Sequence, residues 1–254
     1  MKLKTYILIV VFAGGSCFAY AQKSDSLHRT SGYFSINYGY GLPIGAFADN
    51  QGTDYRGYAL HGHVFNISVA VPIKHSHYGI TFGYAHYSNL FDEYKYAKNY
   101  PKGGTNWYSS GQSDSQLPYY DENSLTLGIF YTTSIKNISF DFEAEGSVLD
   151  CSFPDALVDI TVYINNFPWA INGPAGINAS NRWNIGFNTN ASIRYAVINN
   201  KIGIKLNVGF FYANAHYKAI ENPPPPATTK NYISGNIPIL ILSFEGGLFY
   251  QFGR

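Results

Sequence analysis

Apolar and polar residues alternate with a period of two along most of the chain. Eight such runs stand out, each about as long as the 9–11 residues of a tilted membrane strand. They are YFSINYGYGL (33–42), HVFNISVAVPI (63–73), YGITFGYAHYS (78–88), LTLGIFYTTSI (125–135), ISFDFEAEGSV (138–148), WNIGFNTNASIRYAV (183–197), IGIKLNVGFFYA (202–213) and ILILSFEGGLFYQF (239–252). In each run the large apolar residues share one parity, and the small, polar and charged residues mostly share the other. The pattern predicts strands with an apolar outer face and a polar inner face.

The segments between the runs alternate between short and long. Short connections fall near 74–77, 136–137 and 199–200, and long ones near 43–58, 91–122, 151–182 and 214–235. This alternation predicts an all-β protein, an eight-stranded antiparallel up-and-down transmembrane β-barrel. Three turns and both termini would lie on one side and four loops on the other. In a bacterial barrel these sides are the periplasm and the cell exterior.

The composition also favours a membrane barrel. Charged residues make up 13% of the chain and aromatic residues 17%, whereas soluble domains contain roughly 25% charged residues. A soluble lipocalin-like barrel is the alternative, but it would bury the apolar parity and expose the charges. The formal net charge of +1 gives no indication of a nucleic-acid partner.

The first 21 residues, MKLKTYILIVVFAGGSCFAYA, have the order of a secretory signal: lysines, an apolar run, then small residues. We therefore expect a signal peptide at 1–21, a periplasmic segment at 22–31 and the barrel at 32–254. Cys17 would serve a lipoprotein alternative, which its flanking residues do not favour. Cys151 would then be the one remaining cysteine, so no internal disulfide is expected.

The first hairpin carries a short motif. Gly41, Pro43, Gly45 and Phe47 form a Gly-x-Pro-x-Gly-x-Phe segment, and Gly57-Tyr58-Ala59 follows it. The segment resembles the start of OmpA/OmpX-like outer-membrane barrel domains common in Bacteroidota. The resemblance implies location in the cell outer membrane and contact with its lipid and lipopolysaccharide. It implies little about activity, because that group is functionally diverse.

Six charged residues on the inner parity are predicted to meet in the lumen. Strand periodicity places three acids of the fifth run on one inward face, and three further charges on later runs. An eight-stranded barrel is just wide enough for side chains to fill it, so these charges need partners. We expect a charged plug in which Glu143 or Glu145 meets Arg194 or Lys205. A cation site or a narrow pore is the alternative. The set is Asp141, Glu143, Glu145, Arg194, Lys205 and Glu245.

A possible catalytic pair lies in AHYSNL, where His86 and Ser88 share one strand face. The segment resembles the His-x-Ser-Asn segment of outer-membrane lipid A 3-O-deacylases. That resemblance implies a histidine base and a serine nucleophile facing lipid. In a simple register His63 would lie opposite Ser88. The segment is on the third run, whereas the family carries it near the C-terminal strands, and a supporting acid has no clear counterpart. A deacylase-type hydrolase is therefore the alternative function.

The long loops carry the remaining candidates. Aromatic residues mixed with Asn and Ser suit a surface that binds a glycan or a protein; the alternative is that these loops fold on themselves and cap the barrel. The candidates are Trp107, Tyr108, Tyr119, Tyr120, Phe167 and Trp169. Two His-x-His pairs, 61/63 and 75/77, are too far apart to form one metal site, so no metal or cofactor is predicted. The predicted function is a non-enzymatic surface binding protein or an accessory subunit of an envelope complex.

Overall fold

The computed structural model describes residues 31–49, 57–73, 76–92, 95, 107–109, 119–153, 158–164, 167–173, 175–178, 183–221 and 231–252. The predicted signal peptide and nearly all of the predicted N-terminal segment lie outside these ranges. The strands are β1 Gly32–Pro43, β2 Ala59–Pro72, β3 Tyr78–Phe91, β4 Trp107–Ser109, β5 Tyr119–Ile135, β6 Ile138–Ser152, β7 Val158–Ile164, β8 Phe167–Gly173, β9 Ala175–Asn178, β10 Asn184–Ile198, β11 Ile202–Glu221 and β12 Asn231–Phe252. One 3-10 turn, Gly45–Phe47, follows β1.

Eight of these strands form a closed antiparallel ring in the order β1, β2, β3, β5, β6, β10, β11, β12. Gly32 pairs with Phe252, so β1 and β12 close the ring. The paired residues climb around it. A path of cross-strand partners that begins at Asp141 on β6 returns to that strand at Cys151, ten residues further on. Such a stagger is needed to close a tilted barrel, and eight strands leave a lumen that side chains can fill.

The connections confirm the predicted topology. Short turns follow β2, β5 and β10, and long connections follow the other four strands that lead into a neighbour along the chain. Lys136, Asn199 and Asn200 hold positive φ angles of 57°, 49° and 54° in two of these turns, a conformation that asparagine tolerates better than most residues. Both ends of the described barrel lie beside the short turns. We call the opposite side the long-loop end.

The alternation of faces follows the predicted parity over most of the wall. Outward residues such as Ile185, Leu127 and Leu206 are exposed, which is the surface that a bilayer covers. In the described part of the chain, no helix is both long and apolar enough to cross a membrane. The expected separation of faces is wrong in part, because large apolar residues are also buried inside the lumen. Examples are Phe211, Ile237, Ile239 and Ile241 in one cluster, and Phe130 and Phe249 in a second cluster nearer the short turns.

The strands extend further at the long-loop end than the alternation predicted. Residues 214–235 were expected to be a loop, but β11 runs to Glu221 and β12 starts at Asn231. Their ladder continues through the pair Glu221 and Asn231. The backbone hydrogen bonds between β11 and β12 do not require an apolar face toward lipid. This part of the hairpin can therefore form without the apolar alternation on which the prediction depended.

The second and third long connections contain strands of their own, which the sequence did not predict. A three-stranded sheet has the order β4-β7-β8. It joins the two connections, because β4 belongs to the second and the β7–β8 hairpin to the third. Strand β9 pairs with β11 at Lys218–Glu221. We call the sheet of β4, β7 and β8 the loop sheet.

Candidate functional site

The structure places all six predicted charges inside the barrel. Each is at least nine-tenths buried: Asp141, Glu143, Glu145, Arg194, Lys205 and Glu245. They come from β6, β10, β11 and β12, which are consecutive in the ring. Cross-strand pairing brings them together, since Asp141 pairs with Ser192 on β10 and Arg194 with Lys205 on β11. These residues therefore belong to one network at the middle of the lumen.

Asp141 and Arg194 form the tightest ion pair in the network. The guanidinium Nε lies 2.6 Å from Oδ2 and Nη2 lies 2.9 Å from Oδ1. Both atoms donate, so the contact is bidentate and charge-assisted. The guanidinium also lies over the ring of Tyr33, with its carbon 3.9 Å from the ring centre. Arg194 therefore has a carboxylate at its edge and an aromatic ring at its face.

Lys205 and Glu143 form the second pair, with Nζ 3.1 Å from Oε1. The Tyr33 hydroxyl donates to the same oxygen at 2.6 Å, and the Asn190 amide donates to the other oxygen at 3.3 Å. The expected contact between a glutamate of β6 and a base is thus present for Glu143 and Lys205. Arg194 instead contacts Asp141, which the sequence did not single out as its partner.

Two further carboxylates of the network have only neutral donors. Glu145 accepts from Thr81 at 2.9 Å and from Asn188 at 3.0 Å. Glu245 accepts from Ser243 at 2.8 Å and from Asn207 at 3.1 Å, both at Oε1. Its Oε2 has no hydrogen-bond partner among the described residues. The lumen is therefore a charged plug with surplus acid.

The long-loop end of the lumen is closed by aromatic side chains. Tyr120 is buried, and its hydroxyl donates to the Gly57 carbonyl at 2.8 Å. Its ring meets Phe47, Phe91 and Phe153 edge to face, at centre distances of 5.0, 5.7 and 5.9 Å. Tyr120 was predicted to be a loop binding residue, and this is wrong. It lies on the inward parity of β5, so it packs in the barrel mouth, while Tyr119 on the opposite parity is exposed.

The Gly-x-Pro-x-Gly-x-Phe segment forms part of this closure. Gly45 holds a φ of +60°, which glycine adopts at little cost, and the 3-10 turn that begins at Gly45 buries Phe47 completely. Gly57, at a φ of +97°, lies against the backbone of Asp49, and Tyr58 donates its amide to the Asp49 carbonyl at 2.9 Å. The motif therefore folds the first long connection back into the barrel mouth.

Glu122 is a buried acid that sequence reasoning missed. It follows Tyr120 on the inward parity of β5, is 1% exposed, and pairs across the sheet with Tyr87 and Cys151. Neither carboxylate oxygen has a hydrogen-bond partner among the described residues. The parity rule could have found it if the strand had been extended past Leu125 toward the long-loop end.

His86 and Ser88 lie on the outward face of β3, as the parity predicted, and His63 is the cross-strand partner of Ser88. The contacts do not assemble a catalytic pair. His86 Nδ1 lies 3.3 Å from Asn123 Oδ1, and His63 Nδ1 lies 2.9 Å from the Tyr38 hydroxyl. No hydrogen bond joins His86 to Ser88 in the described structure. Nothing in this geometry gives positive support to catalysis.

The histidine pairs do not converge with other ligands. His61 stacks on Tyr40 at 5.3 Å and His63 on Tyr38 at 5.7 Å, at the outer rim of the barrel. His75 lies outside the described residues, and His77 Nδ1 lies 3.0 Å from the Thr132 carbonyl oxygen. Across the described ranges, no group of three or more His, Cys, Asp and Glu side chains is placed to hold a metal.

The register of the loop sheet brings together aromatic candidates that are far apart in sequence. Trp107 on β4 and Trp169 on β8 are both partners of Val162 on β7. Tyr108 and Phe167 lie on the same two outer strands. Four of the six loop candidates therefore belong to a single sheet that two separate loops build.

Comparisons with known proteins return barrels at low similarity. No protein-family model matches the chain, and no curated protein does. Among solved structures, Neisserial surface protein A matches 88% of this chain and 100% of its own at 11% identity and a TM-score of 0.45. A major outer membrane protein from Thermus thermophilus gives 12% identity and 0.46 over the same shares. The Escherichia coli outer membrane protease OmpT gives 10% and 0.42, over 91% of this chain and 100% of its own. Likenesses this low carry no argument about function.

Proposed function

We propose that this chain is a non-enzymatic outer-membrane barrel that binds a partner through its long-loop end. The proposal places the long loops outside the cell and the short turns in the periplasm, in keeping with the predicted signal peptide. The observation that carries it is the loop sheet. Two loops that could each have packed alone instead share a sheet with defined register, which is the kind of rigid support that binding loops need.

The loop sheet favours an extended polypeptide as the partner. Strands β4 and β8 each pair with β7 alone within the described residues, so each has a second edge available. An exposed edge offers a row of backbone donors and acceptors to an incoming strand. A surface glycan would use the aromatic residues of the same sheet instead of its edges. The partner would be an extracellular protein or another protein of the outer membrane.

The filled lumen argues against the narrow pore. Ion-paired side chains occupy its middle, and Phe47, Tyr120 and Phe153 pack at its mouth. Conduction would require these groups to separate and leave buried charges without partners. The hydrogen bonds of His63 to Tyr38 and of His86 to Asn123 likewise give no support to the hydrolase. We therefore propose binding at the long-loop end in preference to conduction or hydrolysis.

A deletion of the β7–β8 hairpin tests the proposal. Residues 158–173 would be replaced by a short Gly/Ser linker in the full chain expressed in outer membranes, followed by surface cross-linking and gentle solubilisation. The matched control replaces 222–230 with Gly/Ser of equal length, which leaves the loop sheet intact. Electrophoretic mobility before and after heating checks that each barrel is folded.

We expect the wild type and the control to recover the same partner in stoichiometric amounts, and the hairpin variant to lose it. Recovery by all three chains, or by none, would contradict the proposal. A partner released by excess free glycan but still bound by the hairpin variant would also contradict it, because such a partner does not need the sheet.

A further inference from the structure

The described lumen holds more acid than base. Five carboxylates are buried there and two cations face them: Asp141, Glu143, Glu145, Glu245 and Glu122 against Arg194 and Lys205. Both cations are already engaged, one by Asp141 and the other by Glu143. A buried carboxylate without a counter-charge is costly unless it is protonated or neutralised by a bound cation.

Unpartnered oxygens gather beside one of the surplus acids. Glu245 Oε2, Asn207 Oδ1, Asn37 Oδ1 and Asn66 Oδ1 are buried and have no hydrogen-bond partner in the described structure. These residues lie on four strands that are consecutive in the ring, in the order β11, β12, β1 and β2. All four residues are more than nine-tenths buried on the inward parity. One wall of the lumen therefore carries acceptors that lack donors.

The sheet register brings these four residues close together. Asn207 is the cross-strand partner of Glu245, and Asn37 is the partner of Asn66. Asn37 also pairs with Gly247, which follows Glu245 by one step on the same face. Glu245 and Asn37 are therefore diagonal neighbours that link the two pairs along one wall of the lumen, and the residues of each pair lie about 5 Å apart between their Cα atoms.

Two contacts orient the amide oxygens of the patch. The Asn207 amide nitrogen donates to Glu245 Oε1 and to Asn190 Oδ1, so the amide oxygen is the atom of this side chain that has no partner. Gly247 packs against β1, where a Cβ would be 2.1 Å from the Ile36 carbonyl oxygen and 2.5 Å from Asn37 Oδ1. A larger residue at 247 would therefore displace the Asn37 oxygen.

We propose that Glu245, Asn207, Asn37 and Asn66 bind a hard metal cation inside the barrel. Every unpartnered atom in this patch is an acceptor, and a cation satisfies several acceptors at once, whereas one water donates only two hydrogen bonds. Carboxylate and amide oxygens are the ligands that Na⁺, Ca²⁺ and Mg²⁺ share. Only one of the four ligands is a carboxylate and the other three are amides, so this site is not one of the groups of three or more His, Cys, Asp and Glu side chains considered above. The cation offsets the charge that Arg194 and Lys205 leave uncompensated.

Cation-dependent thermal unfolding tests the site. The purified full chain in neutral detergent micelles would be heated at one scan rate and followed by circular dichroism, in choline chloride or in NaCl, KCl, CaCl₂ or MgCl₂ at equal ionic strength. A ligand that binds only the folded state raises the unfolding midpoint. We expect at least one metal salt to raise it by about 3 °C or more over choline, and the ranking of salts distinguishes a monovalent from a divalent ion. Equal midpoints in all five salts would overturn the proposal.

Three variants separate the site from non-specific ion effects. Glu245→Gln keeps the side-chain shape and should lose the metal-dependent shift, while Asp121→Asn, an acid on the outward parity, should keep it. Asn66→Lys places an ammonium group in the patch. It should raise the midpoint in choline toward that of the metal-loaded wild type and abolish the response to metal. A full metal response in both Glu245→Gln and Asn66→Lys would overturn the assignment to these residues.

Discussion

Buried carboxylates at two levels of the same lumen differ in their hydrogen-bond donors. At the middle, Asp141 receives two charged donations from Arg194 and a hydroxyl contact from Ser192 at 3.3 Å. Near the long-loop end, Glu122 is equally buried but receives no side-chain hydrogen bond. Its cross-strand partners are Tyr87 and Cys151. Ion pairs occupy the middle of the lumen, whereas aromatic and apolar side chains fill the lumen nearer the long-loop end.

The difference lies in the neighbouring inward residues. Around the ion pairs these are mainly Asn, Ser and Thr, with the ring of Tyr33 against Arg194. The cross-strand partners of Glu122 instead belong to a cluster of buried apolar and aromatic residues. A buried charge depends on its polar partners, and loss of one partner costs much more than replacement of both by apolar groups. The same substitution, carboxylate or cation to methionine, should therefore change sign between the two levels.

The largest effect is expected at Arg194. Arg194→Met would leave Asp141 buried with only hydroxyl donors, and the free energy of unfolding should fall by about 3–5 kcal/mol. Urea unfolding in lipid vesicles, monitored by circular dichroism, measures it.

A double variant controls for the loss of packing. Asp141→Leu with Arg194→Met removes both charges, and its free energy of unfolding should return to within about 1–2 kcal/mol of the wild type. If the double variant were as unstable as the single one, packing on Tyr33 rather than the ion pair would explain the loss, and the comparison of levels would fail.

A smaller effect is expected at Lys205. After Lys205→Met, Glu143 still accepts from Tyr33 and Asn190, so we expect a loss of about 2 kcal/mol in the same unfolding assay. Lys201→Met, at an exposed turn position, is the matched control and should stay within about 0.5 kcal/mol of the wild type. A loss at Lys205 as large as that at Arg194 would show that the neutral donors contribute nothing.

The charged level and the barrel could be predicted from the sequence because both follow from one rule. Side chains alternate with a period of two on a strand, so the acids of 141–145 had to share a face, and the apolar parity indicated which face that was. The choice of partners could not be predicted in the same way. Arg194 meets Asp141 rather than Glu143 because of the stagger between β6 and β10, and the alternation does not specify stagger.

The apolar level and the loop sheet escaped prediction for a different reason. On β12, the residues Ile237, Ile239 and Ile241 share the inward parity of Glu245 although they are apolar. Nearer the long-loop end than the ion pairs, the lumen excludes water and accepts apolar side chains. Tyr120 followed the same inward parity but lay beyond the predicted end of its strand. The pairing of β4 with β7 joins residues about fifty positions apart, and no local pattern encodes such a contact.

Glu122 gives the smallest and most diagnostic effect. Glu122→Met removes a buried carboxylate that has no hydrogen-bond partner among the described residues and adds an apolar side chain of similar length beside Tyr87 and Cys151. We expect the free energy of unfolding to rise by about 1 kcal/mol. Glu145→Met is the matched control on the charged level, because Glu145 is equally buried but accepts from Thr81 and Asn188. Those donors would be left unpaired, so the control should lose about 1–3 kcal/mol. Equal signs for the two variants would show that surroundings do not distinguish the levels.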